Sequence, residues 1–281
     1  MSASVPSQIV ICGKGRIAAA ALSFTVHHVA LHGLPCAIAA CPNRDDKGYD
    51  TWQESLVSAA GLLGIATVDL GALEGVDDLL LISLEYDRLL RVNRFRSTRL
   101  YNIHFSALPK YRGVFTSIWP LLNGERQAGV SLHVIDAGVD TGNVIDQLPI
   151  CIAEHTTARQ LYEQYTDAGL TLFRRWLPQL LTTIPAGTPQ NESAATTFNR
   201  RSIDLTAVEV PFHSAPDVVC TFIRAFTFPE YQRPTVAGRA VRSCARLPAT
   251  TAEAPGTVIH RTAYSSAVAT GDNGVVEVIW A

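Results

Sequence analysis

Short apolar runs alternate with longer stretches of helical spacing through the first two-thirds of the chain, and that alternation sets the expected fold. Residues 8–12 (QIVIC) form a β-branched run ending in Gly13-Lys14-Gly15, and an Ala-rich helical pattern follows from Arg16 to about Leu31. Strand-length runs recur at 36–40, 66–68 and 79–83, with helical spacing over 49–62. Strands alternating with helices predict an α/β domain: a Rossmann-like, mostly parallel sheet with helices on both faces. Residues 101–105 predict the next strand, 116–122 a helix, and 130–135 with 144–149 a close strand pair. Over 157–181 the side chains Leu161, Tyr165, Leu170, Phe173 and Leu177 recur on roughly one face, which predicts a long amphipathic helix.

The pattern then shifts. TIPAGTPQNESAATT (183–197) is polar and rich in Pro, Gly and Ser, which reads as a linker. Beyond it a helix follows Ser214, and 257–260, 263–269 and 274–280 are strand-like, with Asp272-Asn273-Gly274 as a turn. The expected organisation is a first domain over 1–185, a linker over 186–203 and a smaller, β-rich C-terminal domain over 204–281. The last segment is too short for a complete closed five-stranded barrel, so a small β cap that also helps dimerisation is expected.

Composition narrows the class. The chain has 281 residues, 47% hydrophobic and 17% charged, as an ordinary globular enzyme does. A net charge of −2 without a Lys/Arg-rich run counts against binding extended nucleic acid. The six cysteines are scattered without a Cys-x-x-Cys pair, so buried thiols in a reducing cytoplasm are expected. No apolar run has membrane-helix length, and the N-terminus lacks the pattern of a signal peptide.

The chemistry concentrates in two stretches, YNIHFSALPKYRG (101–113) and SLHVIDAGVDTGNVIDQ (131–147). On a strand, side chains two apart point the same way, so Asn102 and His104 share a face. A carboxamide and an imidazole side by side can steady an oxyanion and move a proton. Asp140 sits between Gly138 and Gly142, in a turn from which its carboxylate can face back towards His104. Together these argue for acyl-type transfer. Gly13-Lys14-Gly15-Arg16-Ile17-Ala18 has the outline of a dinucleotide fingerprint, but Ala39-Ala40-Cys41-Pro42 stands where the confirming acidic residue belongs. A tight turn that binds nothing is expected there, and no NAD.

NIHFSALPKYRG resembles the Asn-x-His-x-Ser-x-Leu-Pro-x-x-x-Gly segment of the formyltransferases that use 10-formyltetrahydrofolate, and VIDAGVDTGNVIDQ resembles their Asp-x-Gly segment. The resemblance runs from about Ile9 to Tyr165. It implies that Asn102, His104 and Asp140 are the catalytic residues for attack of a primary amine on a formyl carbonyl. Asn102 would donate to the oxyanion, and His104 would donate a second hydrogen bond and protonate the leaving folate nitrogen. Asp140 would either hold the imidazole or take the amine proton through water. No metal is implied. The pterin is expected against Leu84, Tyr86 and Asp87, against the loop from Asp136 to Asp140, and beside the backbone of Val114.

SLEYD (83–87), YRGVFTSIWPLLNGERQAGVSLHVID and IRAFTFPEYQRP (223–234) resemble enzymes that act on dTDP-amino-deoxy sugars. That likeness implies a dTDP-linked 3- or 4-amino-dideoxyhexose as acceptor, tetrahydrofolate as co-product, Tyr231 stacked on the base and Arg224 on the pyrophosphate. From the N-terminal pattern, the run lengths and the charge, a cytoplasmic protein that binds neither membrane nor nucleic acid is expected, and from the β cap a homodimer. The alternatives are methionyl-tRNA formylation, formyltetrahydrofolate hydrolysis, a UDP-amino-sugar acceptor and a folate-binding regulatory protein.

Overall fold

The computed structural model describes residues 4–281. In chain order its elements are β1 (Gln8–Gly13), α1 (Gly15–His32), β2 (Ala37–Pro42), α2 (Leu56–Leu62), β3 (Ala66–Thr67), α3 (Leu70–Leu73), β4 (Leu79–Leu84), β5 (Arg99–His104), β6 (Arg112–Gly113), α4 (Trp119–Leu122), β7 (Gln127–Val134), β8 (Val144–Cys151), α5 (Ala158–Leu180), β9 (Thr197–Phe198), α6 (Pro216–Ala225), β10 (Thr235–Val236), β11 (Arg239–Thr250), β12 (Val258–Arg261), β13 (Ser265–Ala269) and β14 (Gly274–Trp280). By compactness the chain divides into two units. The first comprises Met1–Gly113, Gly129–Ile150 and Gln164–Thr197; the second comprises Val114–Ala128, Cys151–Glu163 and Phe198–Ala281.

A seven-stranded sheet in the order β3-β2-β1-β4-β5-β7-β8 forms the frame of the first unit. β1, β2, β3, β4 and β5 pair in parallel, whereas β7 runs antiparallel to β5. All six residues of β4 (LLLISL) are buried. A continuous apolar run is what a parallel strand covered on both faces requires. The C-terminal ends of β1 and β4 leave no room for a side chain at Gly13. Gly13 has φ +143°, and a Cβ there would lie 1.8 Å from the Leu84 carbonyl oxygen. The glycine of the fingerprint-like motif is thus explained by strand packing.

Two helices are shorter than their spacing suggests. The expected helix over 49–62 begins only at Leu56, because the Asp46 carboxylate gathers Ser55 Oγ (2.5 Å) and the backbone N–H groups of Leu56 (2.8 Å) and Val57 (3.2 Å). That carboxylate satisfies N–H groups a helix start leaves open, so the preceding residues stay in a loop. The helix expected over 116–122 narrows to α4.

The stretch 183–197 is ordered. Val144 and Thr188 exchange backbone hydrogen bonds of 2.9 and 2.7 Å, Asn143 Nδ2 donates to the Ala186 carbonyl at 2.9 Å, and Thr196 N donates to Pro109 O at 3.2 Å. In the second unit, β11 is a twelve-residue strand the pattern did not signal. It completes a five-stranded sheet, β10-β11-β14-β13-β12, with β10 and β12 at its edges. The sheet is open, and α6 supplies Val219 and Ile223 to a core with Val241, Val268, Val276 and Val278. Among the described residues no helix is long and apolar enough to cross a membrane.

Candidate active site

Strand register brings the chemistry to one line across the first unit. Ser83 on β4 pairs with Asn102 on β5, and Asn102 pairs with His133 on β7. Period-two alternation sets His104 on the same face as Asn102. Asp140 joins them from the turn between β7 and β8. That turn closes tightly: a Cβ on Gly142 would lie 1.8 Å from the Val134 carbonyl oxygen.

The hydrogen bonds assign most of the protons. His133 Nδ1 lies 2.8 Å from the Val134 carbonyl, which can only accept, so Nδ1 carries hydrogen. His133 Nε2 then accepts from Asn102 Nδ2 at 3.1 Å. Asn102 Nδ2 also reaches Asp140 Oδ1 at 3.4 Å, a long contact that leaves this hydrogen available to a ligand. His104 Nε2 donates to the Tyr111 carbonyl at 2.9 Å, while its Nδ1 lies 3.5 Å from Asp140 Oδ2. A hydrogen on Nδ1 as well would give each of those acceptors a donor. The Nδ1 contact is too long to lock its proton in place.

Asp140 is the anionic centre of the group. Its Oδ2 accepts from Gly113 N at 2.8 Å, and its Oδ1 lies 3.5 Å from His133 Nε2. Burial alone would raise its pKa. His104 and the Gly113 N–H outweigh it and hold the carboxyl well below the usual carboxylate range. A carboxylate so held is a poor proton acceptor near neutral pH, where general bases work best with a matched pKa. Asp140 has φ 54°, and Glu85 (58°) and Tyr111 (60°) are also in the left-handed region. Non-glycine residues there cost energy and gather where a site holds its geometry.

The structure brings Asn102, His104 and Asp140 together, and sorts the other expected residues as follows. Leu84 ends β4 and is buried. In the loop beyond it, Tyr86 OH contacts Cys41 Sγ at 3.2 Å and accepts from Arg88 Nε at 2.9 Å. Asp87 N donates to Asn43 Oδ1 at 3.2 Å. Asp136 turns its carboxylate into its own loop, accepting from Gly138 N (3.1 Å) and Thr141 Oγ1 (2.6 Å), so it shapes the turn that carries Asp140. The second unit holds the other three. Val114 N donates to the Phe198 carbonyl at 3.1 Å. Arg224 Nη1 donates to Thr156 O at 3.3 Å, and Tyr231 is 55% exposed with its ring 4.9 Å from that of Phe228.

A model of the formyl transferase family matches residues 72–177, which contain Asn102, His104, His133 and Asp140. The N-formyltransferase from Helicobacter canadensis, solved with folinic acid and dTDP-3-aminofucose, is 32% identical, over 98% of this chain and 100% of that one, with a TM-score of 0.86. The chain belongs to the formyltransferase family. A second member, the sugar 3N-formyl transferase WlaRD solved with dTDP and 5-N-formyl-THF, is 31% identical, over 99% of this chain and 98% of that one, with a TM-score of 0.85. A 4-N formyltransferase from Francisella tularensis is 19% identical over 81% of this chain and 91% of that one; its TM-score of 0.61 is a likeness of fold.

Two residues of this formyltransferase's cluster escaped the sequence pattern. His133 is 2% exposed and pairs with Asn102, but only the β5–β7 register reveals it. Gln190, in the polar stretch read as a linker, donates from Nε2 to the carbonyls of Asp140 and Gly142, each at 2.8 Å. Nothing in its local sequence marks it.

Proposed function

We propose that this formyltransferase moves the formyl group of 10-formyltetrahydrofolate to the primary amine of a dTDP-linked 3-amino-dideoxyhexose. The observation that carries the reading is near-complete coverage by two enzymes, one solved with dTDP-3-aminofucose and the other a sugar 3N-formyl transferase, with TM-scores of 0.86 and 0.85. The 4-N enzyme is matched over a smaller share of both chains. The donor set supports the chemistry: two imidazoles, a carboxamide and a buried anion meet there. Such a set suits direct transfer to an amine.

The folate supplies an activated one-carbon unit and a nitrogen leaving group. The chain's residues do the rest. Asn102 turns its weakly engaged amide hydrogen towards the oxygen where negative charge grows, a contribution of roughly 3–4 kcal/mol for one fixed donor. His104 passes the Nδ1 proton to the departing nitrogen as the carbon–nitrogen bond to folate breaks, and the proton that the attacking amine sheds on forming its own bond to the formyl carbon restores the ring. Asp140 stays anionic and holds the imidazolium. His133 fixes the carboxamide of Asn102. Tyr231 stacks on the thymine, and Arg224 supplies positive charge for the pyrophosphate.

A formyl-transfer assay across a panel of dTDP-3-amino and dTDP-4-amino sugars, with UDP-amino sugars and methionyl-tRNA alongside, tests the reading. The 3-amino dTDP sugars should lead in kcat/KM by at least ~10², because a misplaced nucleophile forfeits that much. Equal rates on 4-amino sugars would overturn the regiochemistry, and formylation of the tRNA alone would overturn the acceptor class.

A further inference from the structure

The carboxamide of Gln190 has all of its hydrogen-bonding positions filled, and each points at the machinery that sets Asp140. Nε2 donates to Asp140 O and Gly142 O, each at 2.8 Å. Oε1 accepts from Arg112 Nε at 3.1 Å and Nη2 at 2.8 Å. Arg112 is 4% exposed and forms a bidentate pair with Glu192, Nη1–Oε2 at 2.9 Å and Nη2–Oε1 at 2.7 Å. Its chain neighbour Gly113 gives the N–H that the Asp140 carboxylate accepts at 2.8 Å. Gln190 therefore ties the backbone that presents Asp140 to the segment that hydrogen-bonds its carboxylate.

We infer that Gln190 is a positioning residue for formyl transfer, setting where the Asp140 carboxylate meets His104 and His133. The left-handed backbone of Asp140 (φ 54°) persists only if its surroundings over-determine it. Gln190 holds it from the carbonyl side while Gly113 N holds it from the carboxylate side. Arg112 orients the carboxamide, because two N–H groups converging on Oε1 leave the amine end to face the two carbonyls. A carboxylate in place of the carboxamide would set negative charge against both carbonyls.

The inference rests on formyl transfer being the activity, so its test has two readouts. The first is kinetic, in wild type, Gln190→Met, Asp140→Asn and the double variant. Gln190→Met should lower kcat roughly 10- to 100-fold with both KM values within about 3-fold, since small misplacements cost this much. In the Asp140→Asn background the same change should cost less than about 2-fold, because residues acting as a unit are not additive. The second readout needs no substrate: ¹H–¹⁵N spectra of the imidazole nitrogens of His104 and His133 in the free enzyme. Gln190→Met should move them in the same sense as Asp140→Asn. Asn143→Ala, which cuts the tether to Ala186, should leave them in place. Unmoved imidazole signals in Gln190→Met, losses that multiply in the double variant, or a loss confined to KM would each overturn the inference. Wild type inactive on every sugar, with the imidazole shifts as expected, would count against the substrate reading and leave the positioning role standing.

Discussion

Asp140 is charged, buried and close to two imidazoles, so its removal has two separable consequences. Asp140→Asn should leave the fold intact and lower turnover by at least ~10²-fold, the scale of general acid–base assistance; near-normal turnover between pH 6 and 9 would remove it from the mechanism. The second consequence is pH linkage. The folded-state pKa of Asp140 is depressed, so its contribution to stability is present above the unfolded value and lost as pH falls through the acid range. Wild type should therefore lose more of its urea midpoint than Asp140→Asn between about pH 5 and pH 3, on an unfolded aspartate pKa near ~3.9. Identical slopes would mean that another carboxylate carries the effect. At this scale the sequence was informative where function lies along one strand or in one short turn. Asn102, His104 and Asp140 could be picked out because spacing two and a glycine-flanked turn are local signals. His133 and Gln190 could not, since each acquires its meaning from a partner 31 or 48–50 positions away.

Between strands, the fit of Gly13 against β4 is the element-level constraint with the clearest test. Gly13→Ala would drive a Cβ to 1.8 Å from the Leu84 carbonyl, a backbone atom that cannot rotate aside, at a φ of +143° that L side chains rarely adopt. The variant should lose at least ~2 kcal/mol of stability in urea unfolding, combining overpacking with backbone strain. Folate affinity should fall with it if the pterin lies against the Leu84–Asp87 segment; a silent substitution would show that the two strand ends can part. The parallel core was legible because β1 and β4 are continuous apolar runs, whose burial on both faces demands such a composition. β11 was not. Its twelve residues, RAVRSCARLPAT, include three arginines and a proline, and most of them are exposed or half-buried. Only pairing with β14 makes that stretch a strand. The start of α2 was equally hidden, because the group that ends the preceding loop is the Asp46 carboxylate, nine residues from Ser55.

Over the whole molecule, charge and the division into two units bear on which ligands the enzyme takes. A chain of net charge −2 offers little to a polyanion such as tRNA, but it can hold a small pyrophosphate through a few local cations. A ligand that binds only the native state raises its stability by about 2.7 kcal/mol at a hundred times its dissociation constant. Saturating dTDP should therefore raise Tm by on the order of 5 °C, tetrahydrofolate likewise, and tRNA not at all. Tyr231 separates the first two effects. It lies in the second unit, 55% exposed, with its ring tilted 47° against Phe228 and its N–H on the Phe228 carbonyl at 2.9 Å, so the turn positions the side chain. A base–aromatic stack is worth ~1–3 kcal/mol in single-stranded nucleic-acid binders. Tyr231→Ala should then weaken dTDP roughly 5- to 150-fold and remove between about a third and about nine-tenths of its thermal shift. The folate shift should be unchanged, and Tyr231→Phe should match wild type, because the ring face makes the contact. A full dTDP shift in the Ala variant, or an equal loss in the Phe variant, would take Tyr231 out of the nucleotide site and leave the base to some other surface of the second unit.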